Sequence, residues 1–183
     1  SNLEIMEFKS RDEREVAGYA SVMKTVFESW ETIDLTENNI KQLHRDLLQH
    51  TAKDQRHRGA YKTLNHHVEA FGPAGESLGV IFETATAFET PQKIAGLLTG
   101  TRNILQEKTL HPLLAISIFV VVFLAIHPFQ DGNGRLSRVV TTLLLLRAGH
   151  ASVSYSSLES AIEQRLHARG LCLVSCHLYP FKY

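Results

Sequence analysis

The residues able to do chemistry crowd into one stretch, Ile126-His127-Pro128-Phe129-Gln130-Asp131-Gly132-Asn133-Gly134-Arg135-Leu136-Ser137-Arg138. Pro128 disfavours α geometry at His127 and lacks the donor that would continue a helix, so a helix ahead of it must end at about His127. Asp131-Gly132-Asn133-Gly134 is turn chemistry that tolerates positive φ, and a second helix must start inside it with its first amides unpaired. Those amides and the positive end of the helix dipole make an anion cradle. Arg135 and Arg138, three apart on the first turn, can face the same side, and two guanidiniums above a nest of amides suit a polyphosphate. Asp131 beside a phosphate is the setting in which Mg2+ is held by one or two carboxylates and phosphate oxygens. His127 has an unperturbed pKa near neutrality, as a general base requires. The residues thus read as nucleotide phosphate, metal and base, for transfer of a phosphorus-containing group to a protonated nucleophile. Phe129 is expected to anchor the loop in the core.

The elements that must position this loop are mainly helical. The uncharged run Pro112 to Ile126 predicts a buried helix, shorter than the roughly 20 residues that cross a bilayer. Leu136, Val139, Val140, Leu143 and Leu144 recur at helical spacing after the loop, up to a stop at Gly149. Upstream, Ser10 and Glu13 form a capping box before Val16, Tyr19, Ala20, Met23, Val26, Phe27 and Trp30. Thr36 caps a helix with Ile40, Leu43, Leu47 and Leu48 inward and His44 and His50 expected on its polar side. Lys53, Arg56, His57, Arg58 and Lys62 read as a solvated basic loop. From Gly59 to about Thr86 the helical period disappears. Tyr61-Lys62-Thr63-Leu64 and His66 to Phe71 read as extended, Gly72-Pro73-Ala74-Gly75 as a turn and Leu78 to Thr84 as a second strand. The open edge of such a hairpin can bind a peptide by strand addition. Thr90-Pro91 opens another helix, and Ser156 with Glu159 caps one carrying Leu158, Ile162 and Leu166.

At 183 residues and 20.6 kDa the chain fits one domain. We divide it into N-terminal helices (1–55), a hairpin flap (56–88), core helices (90–149) carrying the loop at 127–138, and a C-terminal segment (156–183). With zero formal net charge, nothing suggests general affinity for nucleic acid or an acidic membrane surface. Two cysteines and no signal peptide point to the reducing cytoplasm. Cys172, Cys176 and His177 lack the second ligand pair that a structural zinc site needs. A start at Ser1-Asn2 rather than Met is expected of a trimmed chain.

His127-Pro128-Phe129-Gln130-Asp131-Gly132-Asn133-Gly134-Arg135, followed by Arg138, resembles the complete Fic-family signature His-Pro-Phe-x-Asp-Gly-Asn-Gly-Arg-x-x-Arg. The resemblance runs from about Arg11 to Glu163. It implies a mostly α fold, a Fic-type helical bundle with a small β-hairpin flap before the motif helix that holds a target segment. It also implies AMP transfer from ATP to a hydroxyl of a target protein. His127 would be the base and Asp131 the Mg2+ ligand; Gly132, Asn133 and Gly134 would bind α- and β-phosphates, and Arg135 and Arg138 would orient the β- and γ-phosphates. The subgroup that transfers the γ-phosphate has Lys in place of Gly134. Two other readings of the site are hydrolytic removal of AMP from a modified protein and a nucleotide-binding module without turnover. After Glu163 the chain departs from relatives that continue helically, and no adenine contact is assigned. The inhibitory Ser/Thr-x-x-x-Glu-Gly/Asn motif is also missing. Only Glu37 precedes Asn or Gly, and Ile33 stands four before it, so Arg138 is expected to be unopposed.

Overall fold

The computed structural model describes residues 11–51, 55–65, 67–71 and 77–155, in an order of two helices, two strands, three helices and a short 3-10 turn. Helix α1 (Arg11–Ser29) buries Val22 and Val26, whereas Val16 and Phe27 of its predicted stripe are exposed. Its predicted cap Ser10 lies outside the described residues, as do the turn Gly72–Gly75 and the helix expected after Ser156. Helix α2 (Glu37–Leu47) starts where Thr36 Oγ1 accepts the Asn39 amide, satisfying one of the first-turn donors. Strands β1 (His67–Phe71) and β2 (Ser77–Glu83) pair antiparallel, with register shifts between Val68 and Glu69 and between Ala70 and Phe71. Tyr61–Leu64, expected to be extended, joins neither strand.

Helix α3 (Thr90–Glu107) begins one residue earlier than the Thr90-Pro91 reading, with Glu89 as its cap residue. Helix α4 (Pro112–Ile126) is capped by His111, whose Nδ1 accepts the Leu113 amide. The expectation that α4 is buried holds for one face only. Ala115, Ile116, Phe119, Phe123 and Ile126 point inward, while Leu113, Leu114, Ile118, Val121 and Val122 are exposed. Helix α5 (Asn133–Arg147) packs against α1, α2 and α4 and is the centre of the bundle. Leu136, Val139, Val140, Leu143 and Leu144 join Phe119, Phe123 and Phe129 in one apolar core. At the far end of α5, Arg147 donates to the Ile33 carbonyl and to Asp34, tying the helix to the α1–α2 connection. The chain continues through a 3-10 turn (Ala151–Tyr155) packed on α5.

Candidate active site

The loop between α4 and α5 is shaped by its two ends. Helix α4 stops at Ile126 because Pro128 bars α geometry at His127, which instead adopts the left-handed conformation (φ 52°, ψ 64°). A non-glycine residue there stores on the order of 1–3 kcal/mol of backbone strain. The His127 amide closes the helix on the Phe123 carbonyl, and Nδ1 lies 3.3 Å from the Leu124 carbonyl. A carbonyl can only accept, so Nδ1 carries the proton and the lone pair is left on Nε2.

At the other end, Gly132 caps α5 at φ 79°, a conformation that disfavours any side chain. The Asn133 side chain is turned into the loop. Its Oδ1 accepts the Phe129 amide at 2.9 Å and its Nδ2 donates to the Phe129 carbonyl at 2.7 Å, in a setting where the residue is 2% exposed. Asn133 therefore braces the loop with its side chain and offers a ligand only its backbone. Each of these two buried Phe129 groups would cost about 1–3 kcal/mol if left unpaired.

Asp131 and Arg135 meet on the first turn of α5. Asp131 Oδ1 accepts the Gly132 amide at 2.6 Å, and Oδ2 lies 3.3 Å from Arg135 Nη2. Arg135 Nη1 is 3.0 Å from Glu15 Oε2 of α1, an ion pair by distance without hydrogen-bond geometry. Sequence inspection missed Glu15 because it looked for Glu followed by Gly or Asn. The expectation that Arg138 is unopposed is also corrected: Arg138 has an interaction partner, although its Nε has no hydrogen-bond acceptor.

Two residues placed in solvent by the sequence reading lie under the loop instead. His44, expected on the polar face of α2, is 0% exposed and stacks on Phe129 with ring centroids 3.8 Å apart. Its Nδ1 accepts the Gly59 amide at 2.9 Å and its Nε2 lies 2.9 Å from the Asp131 carbonyl. Both contacts require the neutral, Nε2-protonated tautomer, and burial pushes the imidazole down to about 4, outweighing the Asp131 contacts that pull it up. The signal was available, since Ile40, Leu43, His44 and Leu47 share one helical face. Gly59 fits only as glycine: it sits at φ 69°, and a Cβ would come within 2.8 Å of the Lys41 carbonyl.

Lys62, expected in the solvated basic loop, is 3% exposed. Its Nζ donates to the Ile126 carbonyl and Thr84 Oγ1, each at 2.9 Å, and its amide donates to the Pro128 carbonyl. The ammonium thus satisfies a carbonyl at the α4 C-terminus. Burial, with Lys93 adding to it, lowers its pKa to about 8. Arg58 also turns inward, donating to the Thr51 carbonyl at 2.8 Å. No periodic pattern marks these loop residues.

The assembled site has an imidazole with a fixed tautomer, one carboxylate, two guanidiniums and the amino end of a helix within one twelve-residue segment. No group of three or more His, Cys, Asp or Glu able to hold a metal occurs among the described residues. A single hard carboxylate suits a cation that completes its shell from phosphate oxygens and water, as Mg2+ does. No helix among the described residues is long and apolar enough to cross a membrane.

The chain is similar to known proteins over most of its length. The protein adenylyltransferase Fic of Drosophila melanogaster is 32% identical over 150 residues, covering 79% of this chain and 27% of that protein. A Fic domain containing signaling protein from Bacteroides thetaiotaomicron is 26% identical with a TM-score of 0.63, over 76% of this chain and 50% of that one. A Fic family protein from Desulfovibrio desulfuricans is 27% identical with a TM-score of 0.56, over 75% and 38%. The chain therefore spans about a quarter of the length of such curated relatives. The profile of the Fic/DOC family matches residues 34–145, from two residues before the cap of α2 to the last turn of α5, and the chain belongs to that family.

Proposed function

We propose that this chain transfers AMP from ATP to a hydroxyl side chain of a target protein. The observation that supports this reading is the His127 imidazole, held by Leu124 so that Nε2 is the acceptor, six residues before the start of α5. Nε2 takes the proton of the incoming hydroxyl as its oxygen forms a bond to the α-phosphorus. The bond from that phosphorus to the bridging oxygen breaks, and pyrophosphate leaves with the electron pair. The α5 amides of Gly132, Asn133 and Gly134, with Arg135 and Arg138, hold the phosphates and their developing charge. Phosphate entering the cradle competes with Asp131 and Glu15 for Arg135. Asp131 would hold Mg2+, which supplies charge neutralisation on the phosphate oxygens.

The hairpin of β1 and β2 supports docking of the target segment by strand addition, since among the described residues the sheet has two strands and so two outer edges. The test is label transfer from ATP carrying a labelled α-phosphate. Label is expected in target proteins with wild-type chain and not with His127→Ala; equal labelling by both would remove His127 from the role. Binding of ATP without any label transfer would instead favour a module without turnover.

A further inference from the structure

We propose that His44 is a positioning residue that fixes the Asp131–Gly132 peptide, and with it the Asp131 carboxylate, in the geometry that takes a metal-bound nucleotide. The proposal rests on the transfer reading above. Within the loop, Phe129 and Asn133 bond only to each other, and Asp131 and Arg135 also lie in the same segment. These contacts give the loop its shape; outside it, Lys62 N–H holds the Pro128 carbonyl and Glu15 holds Arg135, and neither touches the Asp131–Gly132 peptide. His44 comes from α2 and grips the loop at two places, the Phe129 ring face and the Asp131 carbonyl.

The grip is directional because both ring nitrogens are committed. Gly59 N–H can only donate, so Nδ1 accepts, and the remaining proton sits on Nε2 facing the Asp131 carbonyl. The 55–60 segment thereby selects the tautomer that holds the loop, which is the way outer partners orient a ligand residue. Fixing that carbonyl fixes the peptide plane leading into Gly132. That plane sets the direction of the Gly132 N–H, on which the Asp131 carboxylate itself rests. Without the Nε2 bond, the Asp131–Gly132 peptide loses its hold from α2 on the carbonyl side, and the glycine that follows it tolerates a change of that plane more readily than any other residue. The Asp131 carboxylate, which rests on the Gly132 N–H, would then turn away from the metal position.

Three variants separate positioning from packing. His44→Gln keeps an amide donor for the Asp131 carbonyl. His44→Asn keeps an acceptor for Gly59 N–H but cannot reach that carbonyl. His44→Phe keeps the stack and loses both bonds. ATP affinity is measured by calorimetry with Mg2+ and with a chelator. His44→Asn and His44→Phe should lose roughly 10- to 100-fold in the Mg2+-dependent affinity, as second partners of metal ligands do. Affinity in chelator should change by no more than about twofold. His44→Gln should return to within about twofold of wild type.

Equal affinities for Asn and Gln, or a loss that is the same with and without Mg2+, would overturn the proposal. Where the variants fail to fold, nitrogen resonances of the wild-type imidazole decide: a bare Nδ1 with a protonated Nε2 supports it, and the opposite tautomer overturns it. A wild-type chain whose ATP affinity ignores Mg2+ overturns the metal assignment of Asp131 instead, and the imidazole pattern alone then decides whether His44 holds the loop.

Discussion

Helices α4 and α5 have the same length and meet at the same loop, yet composition and burial run opposite ways in them. Helix α4 has no charged residue in fifteen positions and still exposes Leu113, Leu114, Ile118, Val121 and Val122. Helix α5 carries three arginines, two threonines, a serine and an asparagine, and ten of its fifteen residues are buried. Place in the bundle decides this. Helix α5 has neighbours in α1, α2 and α4, whereas α4 is packed chiefly by α3 and α5. A central helix can carry polar groups where its amino end emerges at a ligand site. Burying them elsewhere would require partners for each. In the proposed site, α4 would deliver one group, His127, at its end, the loop Asp131 and Gly132, and α5 the rest.

That division can be broken experimentally, the largest effect coming from the end of α4. His127→Ala should lower AMP transfer by roughly 100- to 10,000-fold while ATP affinity stays nearly constant. Steady-state kinetics beside calorimetry would show it, and loss of binding in the same proportion would mean that His127 belongs to the cradle. Arg138→Ala, on α5, should do the reverse and weaken ATP binding first.

Packing gives the next effect. Phe123→Ala, on the inner face of α4, should cost about 3–5 kcal/mol in denaturant unfolding. Leu143→Ala on α5 should cost about 2–5 kcal/mol.

A smaller, pH-dependent effect is expected where Lys62 meets the α4 C-terminus. Its folded pKa of about 8 lies below the ordinary lysine value of 10.5. Below about pH 8 both states carry the charge, and the folded state bears the full cost of burying it. Between about 8 and 10.5 the unfolded state binds more protons, so this group's contribution to stability rises with pH. Tyr61, whose pKa burial raises, opposes the trend above about pH 10. The difference between wild type and Lys62→Met cancels that term. It should shift in favour of wild type from pH 7.5 to 9.5, and a flat difference would show that Lys62 titrates as a solvated lysine.

The smallest effect belongs to the outer face of α4. Val121→Ser should change stability by no more than about 0.5 kcal/mol. A loss near that of Phe123→Ala would mean that Val121 is covered in solution.

Much of this organisation was legible in the chain. Thr36 as a cap, the helices on either side of the loop, the arrest of α4 by Pro128 and the turn at Gly132 all follow from local sterics and hydrogen bonding, which neighbouring residues determine. The grouping of His127, Asp131, Arg135 and Arg138 follows as well, because twelve consecutive residues cannot place them far apart. The register of α1, the half-exposed state of α4 and the extended reading of Tyr61–Leu64 were not legible, because periodicity records that a face is apolar and not what comes to cover it.

The sequence by itself determined a loop that ends one helix with an imidazole and begins the next with a cradle, since proline, glycine and helix geometry act within a few residues. Only the tertiary structure decided what holds that loop in place. His44 lies 87 positions before Asp131 and Lys62 lies 64 before Ile126. Their desolvation is offset by hydrogen bonds to backbone groups that come near only when α2 and the 55–65 segment pack beneath the site. A histidine and a lysine look alike in a sequence whether they are dissolved or buried, and here it is the partner carbonyls, fixed by the fold, that make the difference.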